Sequence, residues 1–307
     1  FPADVTVPAA TFARDQDWQR AWAEHGLASW THALLEAGRP LLGTAHGPDF
    51  SGDVPVLRAD GVQIGLLFHG SEIRDPRRHA QDYPFSPFQD PDDELTARLQ
   101  RQVEALRPLV EAFDGPTFVS TPDLLDDVPG ATWLPVTVRT DVPQGEPPLT
   151  RPVPLVVHAP SRRALKGTAL IEPVLEKLAA DGLVEYRRIE GTPPDQMPEL
   201  LAAADVVIDH VGIGNYGVLT CEAMAAGRVT LSHVHERVRA RVVAELGEDL
   251  PVVEITPQTL ADTLERVCAE RDWARSVAAE GPGFVARHHD GRRAGEVLSR
   301  FVGPAAG

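Results

Sequence analysis

The chain has 307 residues, 43% hydrophobic and 24% charged, which is enough apolar material for one large or two ordinary cores and excludes wholesale disorder. Lys+Arg number 29 against 45 Asp+Glu, and the resulting net charge of −16 argues against nucleic acid or an anionic membrane surface as partner, since their phosphates call for clustered cations. Two cysteines, Cys221 and Cys268, cannot build a disulfide framework, and no apolar run approaches the roughly 20 residues of a membrane span, so a soluble cytoplasmic protein is expected.

In chain order, DVTV (4–7) reads as a strand from the middle of a sheet. Because the chain opens on Phe1 with interior-like sequence, the first domain is expected to lack its opening β-α-β unit. Asp15 and Asp17 precede a Trp-rich helix that carries Trp18, Trp22, Trp30, Leu34 and Leu35, and are read as caps, not as metal ligands. A strand follows over 62–69. Asp90 and Asp92, also read as caps, precede a helix over 93–113 with Leu95, Leu99, Val103, Leu106, Leu109 and Val110 inward and a kink at Pro108. Segments 116–120 and 132–135 are further strands. The Pro- and Gly-rich stretch 141–152 is the domain boundary. The expected division is 1–142, incomplete at its start, then 153–285, then a C-terminal helix within 286–307.

The second half alternates strands (154–158, 183–186, 204–209, 229–232, 252–255) with helices. Thr168 should cap one helix, Asp195 another, and two more span 217–226 and 257–271. This alternation means parallel strands joined by crossovers, hence an open doubly wound sheet. Ligands of such sheets sit outside the carboxyl ends of the strands, and three of these ends stand out. HAPSRRALKGT (158–168) leaves a strand, opens a helix and places Arg162, Arg163 and Lys166 within five residues, a candidate anion site. DHVGIGNYGVLTCEAMAAG (209–227) puts Gly212, Gly214 and Gly217 between a strand and a helix, in the literal form of a dinucleotide fingerprint. That helix carries Glu222, a carboxylate in apolar company, and stops at Gly227. FHGSEIR (68–74) presents His69 at the end of the strongest strand of the first half. The pairs His233/His235 and His288/His289 bring too few converging ligands for a metal.

Three segments together, RRALKGT (162–168), MPELLAAADVVI (197–208) and YGVLTCEAMAAG (216–227), resemble the nucleotide-sugar-binding domain of glycosyltransferase family 4. The segments FHGSE (68–72), VSTPDLL (119–125) and WLPV (133–136) are similar to the later strands of its acceptor domain. The resemblance implies a GT-B fold: two Rossmann-like doubly wound α/β domains facing a cleft. It implies a retaining, metal-independent hexosyltransferase-like enzyme that needs no cofactor and moves a sugar from a nucleotide diphosphate donor to an unknown small-molecule, lipid-linked or glycan acceptor.

By the same resemblance Lys166 and one of Arg162 and Arg163 hold the diphosphate. Gly214, Asn215, Tyr216 and Gly217 cradle phosphate or sugar, and Glu222 accepts from the ribose hydroxyls. His69 and Lys166 are the catalytic candidates, with Gly70, Ser71 and Glu72 on the acceptor side. The helix over 294–302, with Val297, Leu298, Phe301 and Val302, packs back on the first half. One departure is clear: the family pattern has two glutamates separated by seven residues, and the first falls on Gly214. Two other readings remain: an NAD(P)-linked oxidoreductase using Gly212, Gly214 and Gly217, and a non-catalytic binder of sugar nucleotides or glycans.

Overall fold

The computed structural model describes residues 4–303. Among these residues nine parallel strands form two sheets. The first has the order β1-β2-β3-β4, with β1 His32–Glu36, β2 Gln63–Phe68, β3 Thr117–Val119 and β4 Thr132–Trp133. The second has the order β6-β5-β7-β8-β9, with β5 Leu155–His158, β6 Glu185–Arg188, β7 Val206–Ile208, β8 Val229–Ser232 and β9 Val253–Glu254. Central strands β5, β7 and β8 are buried along their whole length, because helices cover both faces of the sheet and leave no polar side. Helix Thr168–Ala180 turns Ile171, Leu175 and Leu178 onto that sheet, a spacing of four and then three residues that keeps one stripe inward.

Several expectations need correction. Residues 5–8 form no strand, and Val5 is half exposed; β1 instead begins at His32 and pairs with β2 from His32↔Gln63 to Glu36↔Leu67. The Trp-rich helix accordingly ends at Ser29. Trp30 is its extended C-cap, and Leu34 and Leu35 belong to β1, where pairing with β2 overrides their helical spacing from Trp30. Asp15 caps that helix through the Trp18 N–H at 3.0 Å, whereas Asp17 lies inside it, paired with Arg20. The cap of helix Glu94–Glu111 is Asp93, which accepts from the Thr96 N–H at 3.0 Å; Asp90 folds onto the Asp92 N–H. Helix Thr168–Ala180 is capped by Gly167 in the left-handed conformation (φ +72°), because the Thr168 hydroxyl is engaged with His158. Asp195 sits in a 3-10 turn, Pro194–Gln196, ahead of helix Met197–Ala203 and caps nothing. β6 lies two residues later than expected, since this edge strand is mostly exposed and its apolar residues mark its start.

Segment 143–152 is no free spacer. Arg228 donates to the carbonyls of Gln144 and Glu146, Asp205 accepts the Leu149 N–H at 2.6 Å, and Leu149 is wholly buried in the core of the second sheet. The long helix Arg271–His288, broken in sequence by Gly281, Pro282 and Gly283, packs on helix Val218–Ala225; a side chain at Gly281 would stand 2.8 Å from the Met224 carbonyl oxygen. The last helix, Arg292–Val302, lies against the first sheet, with Val297, Leu298 and Phe301 packed on Leu67, Phe118 and Leu134.

Candidate functional site

A cavity of about 740 Å³ lies between the two sheets. Its walls come from the carboxyl ends of both: Glu36 at the end of β1, His69 after β2, Ser120 and Thr121 after β3, Ser161 and Arg162 after β5, His210 after β7. A second cavity of about 430 Å³ adjoins it under the second domain, sharing Ser161, Lys166 and Val218 and ending on Glu222.

The cationic stretch divides in space. Arg162 extends across the cleft, its Nη1 donating to the Ser71 hydroxyl at 3.2 Å, and it has no carboxylate partner among the described residues. Arg163 turns the other way, onto Glu172 and Glu190, and lines neither cavity. Lys166 lies at the junction of the cavities with its ammonium on Asp209. Burial by itself would raise the Asp209 pKa; the Lys166 charge, His210 and the bonds from Lys166 and Thr220 (2.7 Å) outweigh it and hold the carboxyl ionised. Beneath them His158 bridges the Ile208 carbonyl at 2.9 Å and the Thr168 hydroxyl at 3.0 Å, so the end of β5 is tied to β7 and the helix start is fixed.

Glu222 is half buried at the far end of the smaller cavity and has no hydrogen-bond or ion-pair partner among the described residues. Burial, and secondarily the charge of Asp209, raise its pKa. The carboxylate thus lacks the partner that its burial calls for.

On the first domain, His69 faces Glu36 across 3.6 Å, and each favours the charged form of the other: the bond raises the His69 pKa and lowers that of Glu36. Gly70 and Ser71 line the main cavity. Glu72 does not; its carboxylate accepts the His69 and Gly70 N–H groups (2.9 Å for Gly70) and so shapes the loop that presents them.

The remaining candidates fall in or beside the contact between domains. Asn215 lines the cavity and donates to Asp123 at 3.1 Å. Gly217 also lines the cavity and caps helix Val218–Ala225. Tyr216 is buried in a separate core with its hydroxyl 3.3 Å from His289. Gly214 is filled from the other domain: at φ +75° its Cβ would lie 2.6 Å from the Tyr83 ring, and one at Gly212 would lie 3.0 Å from the Phe85 carbonyl. These two glycines therefore admit segment 83–87, and the room a dinucleotide fingerprint keeps for pyrophosphate is taken by the protein itself. Gly214→Ala is expected to destabilise the protein by about 1–3 kcal/mol through strain at positive φ and the Tyr83 clash. Part of that loss should be recovered in the Tyr83→Ala background, as read from urea midpoints.

Several residues of this region were not singled out in the sequence. Arg74 and Asp123, both nearly inaccessible, form a two-bond pair (2.6 and 3.0 Å) on the cavity wall, linked through Asn215 to the second domain. His79 donates from Nε2 to the Ile213 carbonyl (3.0 Å) and, burial first and then Arg74 pushing its pKa down to about 3, is a neutral ring whose Nδ1 accepts from the Ser86 hydroxyl (2.7 Å), so it bridges the domains. Arg241 and Arg237, on helix Glu236–Leu246, pair with Asp126 across the domain contact. Asp209 was visible only as a strand terminus, and Glu36 was hidden by the misread start of β1. One compositional signal did favour Lys166: the sequence holds only two lysines, the other being Lys177.

No family model matches the chain. Over 134 residues it is 27% identical to the D-inositol 3-phosphate glycosyltransferase of Corynebacterium urealyticum, a match covering 44% of this chain and 31% of that relative; the chain thus matches about a third of the relative's length. Among solved structures it is similar to WaaG, a glycosyltransferase involved in lipopolysaccharide biosynthesis (TM-score 0.57, 15% identity, 95% of this chain and 97% of that one). It is also similar to Anabaena HepE in complex with UDP and glucose (0.62, 11%, 97% and 84%) and to sucrose-phosphate synthase from Thermosynechococcus elongatus (0.60, 14%, 98% and 81%). The fold is that of the GT-B glycosyltransferases: parallel sheets facing one another across a cleft. No helix among the described residues is long and apolar enough to cross a membrane.

Proposed function

We propose that this protein is a glycosyltransferase that moves a sugar from a nucleoside diphosphate donor to an acceptor hydroxyl, with retention of configuration and without a bound cofactor. The observation that carries this reading is the unpartnered Glu222 carboxylate at the end of a cavity that opens, past Lys166 and Ser161, into the main cleft. A nucleoside fits the smaller cavity with its ribose hydroxyls on Glu222. Its diphosphate then meets Lys166, Arg162 and the free N–H groups at the start of helix Val218–Ala225. HepE, of the same fold, is described with UDP and glucose bound, which supports a nucleoside diphosphate sugar as the class of donor.

Chemistry in such a site is chiefly electrostatic. As the bond between sugar and diphosphate breaks, charge grows on the departing phosphate oxygen, where Lys166 and Arg162 stabilise it. The acceptor hydroxyl bonds to the same anomeric carbon and its proton passes to that oxygen. Asp209 acts as a positioning group: it occupies one donor of the Lys166 ammonium and aims the others at the cleft. His69, oriented by Glu36, stands on the opposite wall beside the transferred sugar. Gly214, covered by Tyr83, stands where the family pattern has its sugar-contacting glutamate, and this favours as second reading a protein that binds the donor without transferring its sugar.

Glu222→Ala distinguishes ligand binding from fold maintenance. A carboxyl with a raised pKa destabilises the folded state above its unfolded pKa, so the unliganded variant should melt at the same temperature as wild type or higher at pH 7. The melting shift given by saturating UDP, GDP or ADP, whichever the wild type binds, should fall to near zero. An unchanged nucleotide shift in the variant would remove Glu222 from the donor site.

A further inference from the structure

The two walls of the cleft differ in chemistry. The second domain offers Ser161, Arg162, Lys166 and Asn215, whereas the first offers Leu34, Leu67 and Leu134, joined by Leu298 from the last helix. These leucines belong to one apolar cluster with Phe118 and Phe301 beneath it; the polar groups of that domain that also line the cleft, among them Ser71, Arg74 and Thr121, lie with the His69–Glu36 pair outside this cluster. We propose that the acceptor carries an apolar group, an alkyl chain or an aryl ring, next to the hydroxyl that receives the sugar; this rests on the transferase reading above.

A polyhydroxylated acceptor seated on these leucines would press hydroxyls against carbon, at a cost for each one left unpaired. An apolar group covers the same surface with gain, while its neighbouring hydroxyl reaches the His69–Glu36 pair. The wall is also built into the fold. The last helix closes on the sheet because Gly65 in β2 leaves room: a Cβ there would stand 3.1 Å from Leu34, 3.3 Å from Phe118 and 3.4 Å from Phe301. Phe301 fills that gap between His32 and Phe118, at ring separations of 5.2 and 6.1 Å, and this holds Leu298 over the cleft.

The test is calorimetric titration of the whole chain with methyl, hexyl and octyl β-D-glucopyranoside and with phenyl β-D-glucopyranoside, below micellar concentrations. Each titration is repeated with the bound nucleoside diphosphate present and in Leu298→Gln. The expected result is affinity rising about tenfold from methyl to octyl or phenyl as apolar surface is covered, with most of that gain lost in Leu298→Gln. The larger of the octyl and phenyl gains tells an alkyl from an aryl acceptor. Equal affinities across the series, or a gain untouched by Leu298→Gln, would overturn the proposal. Leu170→Gln, on an exposed face of the second domain, controls for solubility and should behave as wild type. Nucleoside diphosphate titrations run alongside separate the two claims: absent nucleotide binding with the chain-length gain intact removes the transferase reading alone.

Discussion

Replacing Lys166 with alanine is expected to weaken donor binding and to destabilise the fold together, whereas Arg162→Ala should weaken donor binding alone. Lys166 is the ionic partner of Asp209, a carboxylate with no solvent access, and deleting it leaves Thr220 and the neutral His210 ring as company for a buried charge. Removing one member of a buried pair costs about 3–5 kcal/mol; the partial exposure of Lys166 and the remaining Thr220 bond place this case at about 2–4 kcal/mol. Arg162 has only a hydroxyl to lose and lies exposed in the cleft. Both variants should weaken nucleoside diphosphate binding by about tenfold or more, because each removes a charge-assisted bond to phosphate.

The pH dependence carries its own sign. In wild type the Asp209 pKa is depressed, so its contribution to stability is present above about pH 4 and lost only as pH falls through the lower folded value. In Lys166→Ala burial dominates and the folded pKa rises above the unfolded one, so the variant gains stability as pH falls. The gap between wild type and variant in urea midpoint should therefore shrink from pH 7 to pH 5. A gap that widens instead would mean that Asp209 is not charged by Lys166.

Breaking the Arg74–Asp123 pair is expected to have the largest effect on the fold. Both side chains are nearly inaccessible, and Asp123 also receives Asn215 from the other domain. Burial would raise the Asp123 pKa, but the Arg74 charge and the bonds from Arg74 and Asn215 hold it down. Asp123→Ala should cost about 3–5 kcal/mol, since Arg74 is then buried without a counter-charge. The double variant Arg74→Met, Asp123→Leu should recover much of this, because no charge is left unpaired. Chemical denaturation of the three forms measures the difference; equal losses in single and double variants would show that the pair's shape, not its charge, is what the interface needs.

The second domain was legible because its physics is local. Short apolar runs such as 204–209, each followed by a helical stripe, leave little choice but a parallel sheet covered on both faces, and Gly227 does end its helix, at φ +68°. The first domain was less so. No Gly or Pro separates Trp30 from Leu34, so a helix and the following edge strand ran together on spacing, and Glu36 was hidden with them. Helix Arg271–His288 was not legible because Gly281 and Pro282 are poor helix formers, and tertiary contact with helix Val218–Ala225 is what gives Gly281 its reason.

The site divided in the same way. Lys166, Glu222 and His69 were nominated by their places at strand ends and on an apolar helix, both local properties. That Arg162 and not Arg163 faces the cleft depends on Glu172 and Glu190, which draw Arg163 away, and that Lys166 is aimed by Asp209 depends on a pairing 43 residues apart. Gly214 read as a phosphate-facing glycine, yet its space is claimed by Tyr83 from 131 residues earlier, a contact no spacing encodes.

The most direct test of donor-sugar transfer is release of nucleoside diphosphate from a panel of UDP-, GDP- and ADP-sugars, with and without an alkyl glucoside acceptor, by wild type and Arg162→Ala. Wild type should release diphosphate from one member of the panel, faster with acceptor present, and Arg162→Ala, its fold intact, should do so at a rate lower by about tenfold to a hundredfold. Binding of a sugar nucleotide with no release from any donor, or release that is indifferent to Arg162, would contradict it.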